Sequence, residues 1–158
     1  MTRAQWVDAS GHAVLLNPKD SLELNGPLLA VEISLPHQLE QDYKLATQSA
    51  RAPVSGKAIL DTGANSSCVD QGVCKALGLQ PVDHVILGHA GGQSVHPCFS
   101  VTLGFTDFFM RPIELRRARG ANLQYVGKGI IAILGRDLLS RMRFVYNGPI
   151  GRFEISVD

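Results

Sequence analysis

The sequence predicts a mostly β domain, a mostly antiparallel barrel or sandwich with one or two short helices. Many apolar runs have strand length, glycine or proline turns separate them, and few segments space their apolar residues as a helix does. A chain of 158 residues, 45% of them hydrophobic and 18% charged, suits one domain with a normal core. We expect residues 1–26 to be an N-terminal extension and residues 27–158 to be the domain itself.

Strands are predicted where a short run is apolar throughout or alternates between apolar and polar side chains. In chain order these are residues 13–16, 27–35, 56–60, the two arms of a hairpin within 83–97, then 99–105, 108–115, 129–135, and the two arms of a final hairpin within 143–157. Pro112 places the 108–115 strand at a sheet edge or a bulge, because proline cannot donate to a sheet ladder. The turn Asn147-Gly148-Pro149-Ile150-Gly151 is typical of a hairpin.

Two segments carry apolar residues at helical spacing. They are residues 69–79, with Val69, Val73 and Leu77 on one face, and residues 136–142. Residues 17–20, Asn-Pro-Lys-Asp, have the composition of a turn. Residues 36–55 are polar and are predicted to form a long loop with one helical turn near 38–47.

Composition and charge exclude several classes of partner. A net charge of +1 gives no general attraction for nucleic acid, and the basic run 116–119 is predicted to be a solvated loop. The chain contains no apolar stretch of membrane-spanning length, so we expect no membrane span. Three cysteines form no even disulfide set, which favours free thiols and a cytoplasmic location: Cys68, Cys74 and Cys98.

The feature most indicative of chemical function is an apolar strand followed immediately by an aspartate. In residues 57–68, KAILDTGANSSC, the apolar run ends at Asp61, and a carboxylate there is costly unless it is hydrogen-bonded or used. Gly63 lets the backbone approach the carboxylate closely and donate to it. Two carboxylates about 3 Å apart share a proton, so that one acts as a base and the other as an acid toward a peptide bond.

A second apolar strand ends at a glycine in residues 133–139, ILGRDLL. Together with LDTGA at 60–64 and the glycine-rich hairpin between them, it resembles the retropepsins, the retroviral-type aspartic proteases, in their cellular and bacterial single-domain branch. The resemblance runs from about residue 27 to the end and implies an acid-protease barrel. It implies that Asp61 is catalytic and that four residues support the catalytic loop: Thr62, Gly63, Ala64 and Ser66. It also implies that residues 84–97 form a flap, with Gly88, His89, Ala90, Gly91 and Gly92 at its tip. Three residues near the site are implied to be structural: Gly135, Arg136 and Asp137.

The chain contains only one Asp-Thr-Gly motif, so a second catalytic carboxylate has to come from elsewhere. Asp137 is a poor candidate, because an acid at a helix start serves as a cap or favours the helix dipole. We therefore expect a homodimer in which the two copies of Asp61 meet on the symmetry axis. The resemblance also implies that Arg136 braces the dimer near the catalytic loop, and Asp70 or Asp137 is its expected partner. The expected substrate is an extended polypeptide, and no cofactor is needed.

Other interpretations stay open. A retropepsin-like domain without activity would be a dimerisation or peptide-binding module. Aspartate is also common in turns, so Asp61 taken by itself could be a turn residue that caps its own loop. A metal site would draw on a group within the hairpin region whose spacing matches no common zinc pattern: His84, His89, His96 and Cys98. Cys68 is a conceivable nucleophile, but a small buried hydrophobe is the simpler interpretation. Relative to retroviral enzymes, residues 1–26 and 36–55 are additional, and a hairpin replaces the terminal strand.

Overall fold

The computed structural model describes residues 5–7, 13–15, 17–89, 92–107, 110–123, 127 and 129–157. The strands in these ranges are β1 (Gln5–Val7), β2 (Ala13–Leu15), β3 (Leu28–Ser34), β4 (Val54–Leu60), β5 (Cys68–Asp70), β6 (Asp83–His89), β7 (Gly92–Phe105), β8 (Ile113–Ala121), β9 (Ile130–Leu134), β10 (Arg143–Asn147) and β11 (Arg152–Ser156). The helices are α1 (Pro18–Asn25), α2 (His37–Thr47), α3 (Gln71–Ala76) and α4 (Arg136–Leu139), and a 3-10 turn at Gly148–Ile150 joins β10 to β11.

A seven-stranded sheet forms the body of the molecule. Its order is β3-β4-β9-β5-β8-β7-β6, and an additional pairing of β3 with β7 closes six of the strands into a ring. The hairpin arm β6 pairs only with β7 among the described strands. The pairs β1–β2 and β10–β11 form separate two-stranded sheets.

The predicted fold class, mostly β with short helices, a glycine-containing hairpin and a C-terminal hairpin, is confirmed. The loop after β4, the β6–β7 hairpin, the apolar strand β9 and the helix α4 follow one another in the order expected from the sequence. The pairing is mostly antiparallel, as predicted, but two pairs are parallel: β4 with β9 and β5 with β8. Parallel pairs need long connections, and local apolar patterns carry no information about them.

The core lies inside the ring and follows from the alternation of side chains along the strands. In β3 every second residue is buried, and its centre contributes Val31 and Ile33, both 0–1% exposed. The neighbouring strands add further side chains with almost no exposure: Ala58, Val69, Val101, Leu103, Ala132 and Leu134. Helices α3 and α4 cover the core with buried apolar residues such as Val73 and Leu138.

Two predictions about the N-terminal half were wrong. Residues 17–20 begin α1 instead of forming a turn: Asn17 caps the helix by accepting from Asp20 N at 2.9 Å, and Pro18 occupies the first turn, where proline is tolerated. Residues 37–47 form the three-turn helix α2 instead of a loop with a single turn. None of the residues of α2 is fully buried, so the helix needs no regular repeat of apolar side chains and its sequence gives little sign of one.

Helix α1 contacts the C-terminal hairpin. Tyr146 Oη lies 3.5 Å from the carbonyl of Leu22, and a Cβ placed on Gly151 would lie 2.1 Å from the backbone of Pro18. The division of the chain into an extension of residues 1–26 and a domain of residues 27–158 stays a prediction.

Two other boundaries differ from the prediction. The helix expected over residues 69–79 begins only at Gln71, because the preceding residues form β5 and Asp70 caps the helix. The strand expected over residues 108–115 begins after Pro112 and extends through the basic run 116–119, which is therefore strand and not loop. None of the described helices is long and apolar enough to cross a membrane.

Candidate active site

Asp61 lies at the point where two parallel strands end together. Leu60 pairs with Leu134, both are buried, and the N–H of Asp61 donates to the carbonyl of Leu134 at 3.0 Å. The side chain of Asp61 is half-buried. The apolar strand thus fixes the backbone in the core while it presents the carboxylate at the edge of the barrel.

The backbone of the turn after Asp61 fixes the position of the Asp61 carboxylate. The N–H of Gly63 donates to Asp61 Oδ1 at 2.8 Å, and the N–H of Ala64 donates to the Asp61 carbonyl at 3.2 Å. A Cβ at position 63 would lie 3.0 Å from Oδ1, so a larger residue would displace the carboxylate. This hydrogen bond orients one oxygen of the Asp61 carboxylate.

The loop between β9 and α4 braces the Asp61 turn. The N–H of Arg136 donates to the Ala64 carbonyl at 2.9 Å, and Arg136 Nη1 donates to the Thr62 carbonyl at 2.7 Å. A Cβ on Gly135 would lie 2.7 Å from the carbonyl carbon of Ser66, so only glycine allows this approach. The two loops are therefore held together by backbone contacts at several consecutive residues.

A buried serine completes this brace. Ser67 is 0% exposed, its N–H donates to Asp137 Oδ2 at 2.9 Å, and its Oγ donates to Asp137 Oδ1 at 2.8 Å. The same Oγ accepts from the N–H of Gly135 at 3.1 Å. Sequence reasoning missed Ser67 and named Ser66, whose hydroxyl donates to Asn65 Oδ1 at 3.4 Å. The available signal was the position of Ser67 directly before β5, where the chain enters the core.

The acids proposed as partners of Arg136 bind other groups. Asp70, 3% exposed, accepts from the N–H of Val73 at 3.1 Å and from the N–H of Leu123 at 2.8 Å. Asp137 holds Ser67 as described. The expected Arg136 ion pair is therefore wrong, and the arginine binds the Thr62 carbonyl instead. Since both carboxylates are committed elsewhere, neither is available as an internal partner for Asp61.

The hairpin expected to be a flap is formed by β6 and β7. Gly88 pairs with Gln93 and His89 with Gly92, whose φ of +120° favours glycine. Ala90, Gly91 and the side chain of His89 lie outside the described residues, so the tip expected at 88–92 is described only at its ends.

The alternative sites receive no support from the geometry. His84 pairs with Pro97 and His96 with Val85, so the two histidines lie on opposite faces of the hairpin. Among the described residues there is no group of three His, Cys, Asp or Glu side chains placed to hold a metal ion. Burial raises the pKa of the Cys68 thiol, and Arg119 opposes this only in part, so the thiol stays protonated and a poor nucleophile.

Comparison with known proteins gives weak structural similarity and no sequence match. No protein-family model and no curated protein sequence matches the chain. The solution structure of the Simian Foamy Virus (mac) protease matches with a TM-score of 0.45 and 14% identity, over 72% of this chain and 92% of that one. The crystal structure of a protein of unknown function (DUF785) from Legionella pneumophila matches with a TM-score of 0.35 and 13% identity, over 71% and 84% of the two chains.

Proposed function

We propose that the protein is an aspartic endopeptidase that acts as a homodimer, with Asp61 of each protomer forming the catalytic pair. The observation that carries this proposal is the setting of Asp61: a carboxylate at the edge of the barrel, with one oxygen held by Gly63 N–H at 2.8 Å. Its backbone is fixed by Leu134 and its loop by Arg136. Such rigid support suits a group that must meet a second carboxylate in a defined geometry.

The reaction follows from the chemistry of a carboxylate pair. Two carboxyl groups about 3 Å apart carry one proton between them at moderate pH. The ionised group takes a proton from a water molecule, whose oxygen attacks the carbonyl carbon of the peptide bond. The protonated group gives its proton to the carbonyl oxygen. When the gem-diol intermediate breaks down, the carboxyl group that took the water proton gives it to the leaving nitrogen and the C–N bond breaks. The other carboxylate takes a proton from one hydroxyl group, which re-forms the carbonyl and restores the shared proton.

A homodimer would supply the second carboxylate, which neither Asp70 nor Asp137 is placed to provide. Asp70 and Asp137 bind backbone and serine groups, which supports a partner outside the chain. The exposed Thr62 and Gly63 lie next to Asp61 and would face the same residues of a second copy across a two-fold axis. The β6–β7 hairpin would cover an extended peptide and exclude water from the site.

Cleavage of an unstructured protein substrate tests this proposal. We expect wild-type protein to cleave it with an optimum between about pH 3 and pH 7, because a shared proton requires one ionised and one protonated carboxyl group. Asp61→Asn removes the ionisable group and should lower the rate by at least about 10³-fold. Asp42→Asn is the matched control, because Asp42 is exposed on α2 and its substitution removes one carboxylate elsewhere.

The inactive alternative gives a different result in the same assay. A dimerisation or peptide-binding module would leave the substrate intact with all three proteins. Equal cleavage by wild type and Asp61→Asn would instead reveal another catalytic group or a contaminating protease, and the Asp61 proposal would be rejected.

A further inference from the structure

One row of paired residues crosses all seven strands of the large sheet on the face opposite the core. Each member is the registered partner of the next, and we call this set the cleft row because the proposed substrate would lie over it: Leu28, Ile59, Ile133, Cys68, Arg119, Cys98 and Asp83. Two of its members, Cys68 and Cys98, are almost fully buried. On the other face, Ala58, Ala132 and Val69 are fully buried in the core. Side chains alternate along a strand, so Asp61, two residues after Ile59, continues on the cleft-row side.

Arg119 lies between the catalytic loop and the hairpin. On one side its strand pairs with β5, the strand that follows the Asp61 loop, and on the other with β7, the second arm of the hairpin. Three strand spacings separate Ile59 from Arg119, which is about 14 Å. An extended peptide covers the same length in about four residues. The guanidinium therefore lies within reach of a substrate side chain near the bond held at Asp61.

The positive charge of Arg119 is not balanced by an acid in the described part of the chain. Its neighbours on β8 are balanced, because Arg117 pairs with Asp83 at 2.7 Å and Arg116 with Glu114 at 3.5 Å. Arg119 Nη2 instead donates to Cys68 Sγ at 2.9 Å. A neutral thiol is a weak acceptor and leaves most of the five guanidinium N–H groups available. A half-buried cation in this setting is suited to a carboxylate from outside the chain.

We propose that Arg119 determines substrate specificity by binding an acidic side chain, Asp or Glu, within about four residues of the cleaved peptide bond. This inference rests on the proposed function, because it takes the cleft-row face as the substrate side. In a two-fold dimer each protomer contributes one Arg119, so an acidic residue is favoured on either side of the cleaved bond. The arginine selects and positions the peptide and takes no part in the proton transfers.

Peptide binding tests this inference without relying on cleavage. Immobilised Asp61→Asn protein is incubated with a library of random decapeptides, and the retained peptides are sequenced. We expect Asp and Glu to be enriched at one or two positions. Isolated peptides that differ only by Glu or Gln at such a position should then bind with affinities about 10- to 100-fold apart, the range of a charge-assisted hydrogen bond. Arg119→Met in the same background should abolish the difference.

Two further variants separate recognition from structure. Arg119→Lys keeps the charge and should restore part of the preference for Glu over Gln, which a purely structural role of the arginine would not do. Arg116→Met removes an exposed cation from the same strand, and the preference should be unchanged because Arg116 pairs with Glu114 and not with a member of the cleft row. Thermal unfolding of each variant shows whether the fold is intact.

The inference and the proposed function fail in different ways. Cleavage that depends on Asp61 but treats Glu and Gln peptides alike overturns the inference and leaves the enzyme proposal standing. Retention of acidic peptides through Arg119 without any cleavage by the wild type rejects the enzyme proposal and supports only the part of the inference in which Arg119 binds an acidic side chain. Retention of no peptides, or enrichment that persists in Arg119→Met, overturns the inference.

Discussion

Ser67→Ala should destabilise the protein far more than Ser66→Ala, although the two serines are adjacent and both follow the Asp61 turn. The hydroxyl of Ser67 is fully buried, donates to Asp137 at 2.8 Å and accepts from the Gly135 N–H at 3.1 Å. The hydroxyl of Ser66 makes a single 3.4 Å contact with Asn65 near the surface.

The magnitude follows from the groups that each substitution leaves without a partner. Ser67→Ala removes a hydrogen bond to a carboxylate and leaves the buried Gly135 N–H unsatisfied. These losses together reduce the free energy of unfolding by about 2–4 kcal/mol. The Asp137 carboxylate keeps the N–H groups of Ser67 and Leu138, which limits the loss. Ser66→Ala removes only an exposed, long hydrogen bond and should change the free energy of unfolding by less than about 0.5 kcal/mol.

Urea unfolding at one fixed protein concentration measures both variants, since the proposed dimerisation would make the apparent stability depend on concentration. Ser67→Ala should lower the unfolding midpoint clearly, and Ser66→Ala should overlay with wild type. Equal midpoints for the two variants would refute the assignment of Ser67 as the residue that ties the loops together.

Three further expectations follow from the same contacts. Gly135→Ala places a Cβ 2.7 Å from the backbone of the neighbouring loop and should lower the free energy of unfolding by more than about 3 kcal/mol. A Cβ at Gly88 would have nothing within 4 Å, so Gly88→Ala should unfold at a urea midpoint within about 0.3 M of that of the wild type. Burial, with the nearby Asp70 carboxylate, raises the pKa of the Cys74 thiol to about 12, so the unfolded chain ionises first and stability falls as pH rises above about 9. Cys74→Ala should flatten the pH dependence of the unfolding free energy between about pH 9 and 11, and an unchanged slope would contradict this cause. Arg136→Met removes the donor to the Thr62 carbonyl and should lower kcat/KM about tenfold, while the exposed Arg141→Met should stay within about twofold of wild type.

The sequence was informative where local pattern and local structure coincide. The apolar run that ends at Asp61, the glycine two residues later and the second apolar strand that ends at Gly135 each describe their own segment. Their positions could be predicted, because strand alternation and the need for a residue without Cβ are both local constraints.

Contacts between distant segments could not be predicted in this way. Ser67 and Asp137 meet because β5 runs beside β9, and Arg119 reaches Cys68 because β5 pairs in parallel with β8. Parallel pairing depends on long connections, and the apolar pattern of one strand does not indicate which other strand it pairs with. The same limit explains the wrong partner for Arg136: the sequence showed nearby acids but not that both were already engaged.

Helix α2 shows a different limit. Its polar surface gave no apolar repeat, and a segment of this kind is supported by pairs four residues apart, such as Lys44 with Glu40 at 3.1 Å. Helices that bury little leave a weak signal in the hydrophobic pattern, whereas β3 and residues 99–105 of β7, which bury alternate residues, were predicted as strands. The sequence did not show that residues 92–105 form one continuous strand.

Mixing wild-type and Asp61→Asn chains tests the shared site most directly. The two proteins are unfolded together at equal amounts and refolded, and sedimentation confirms that the dimer content is unchanged. If each active site needs Asp61 from both protomers, only wild-type pairs are active, and activity falls to about one quarter of that of the same total amount of wild type. A value of about one half would mean that each chain carries a complete site of its own, and the dimeric catalytic pair would be contradicted.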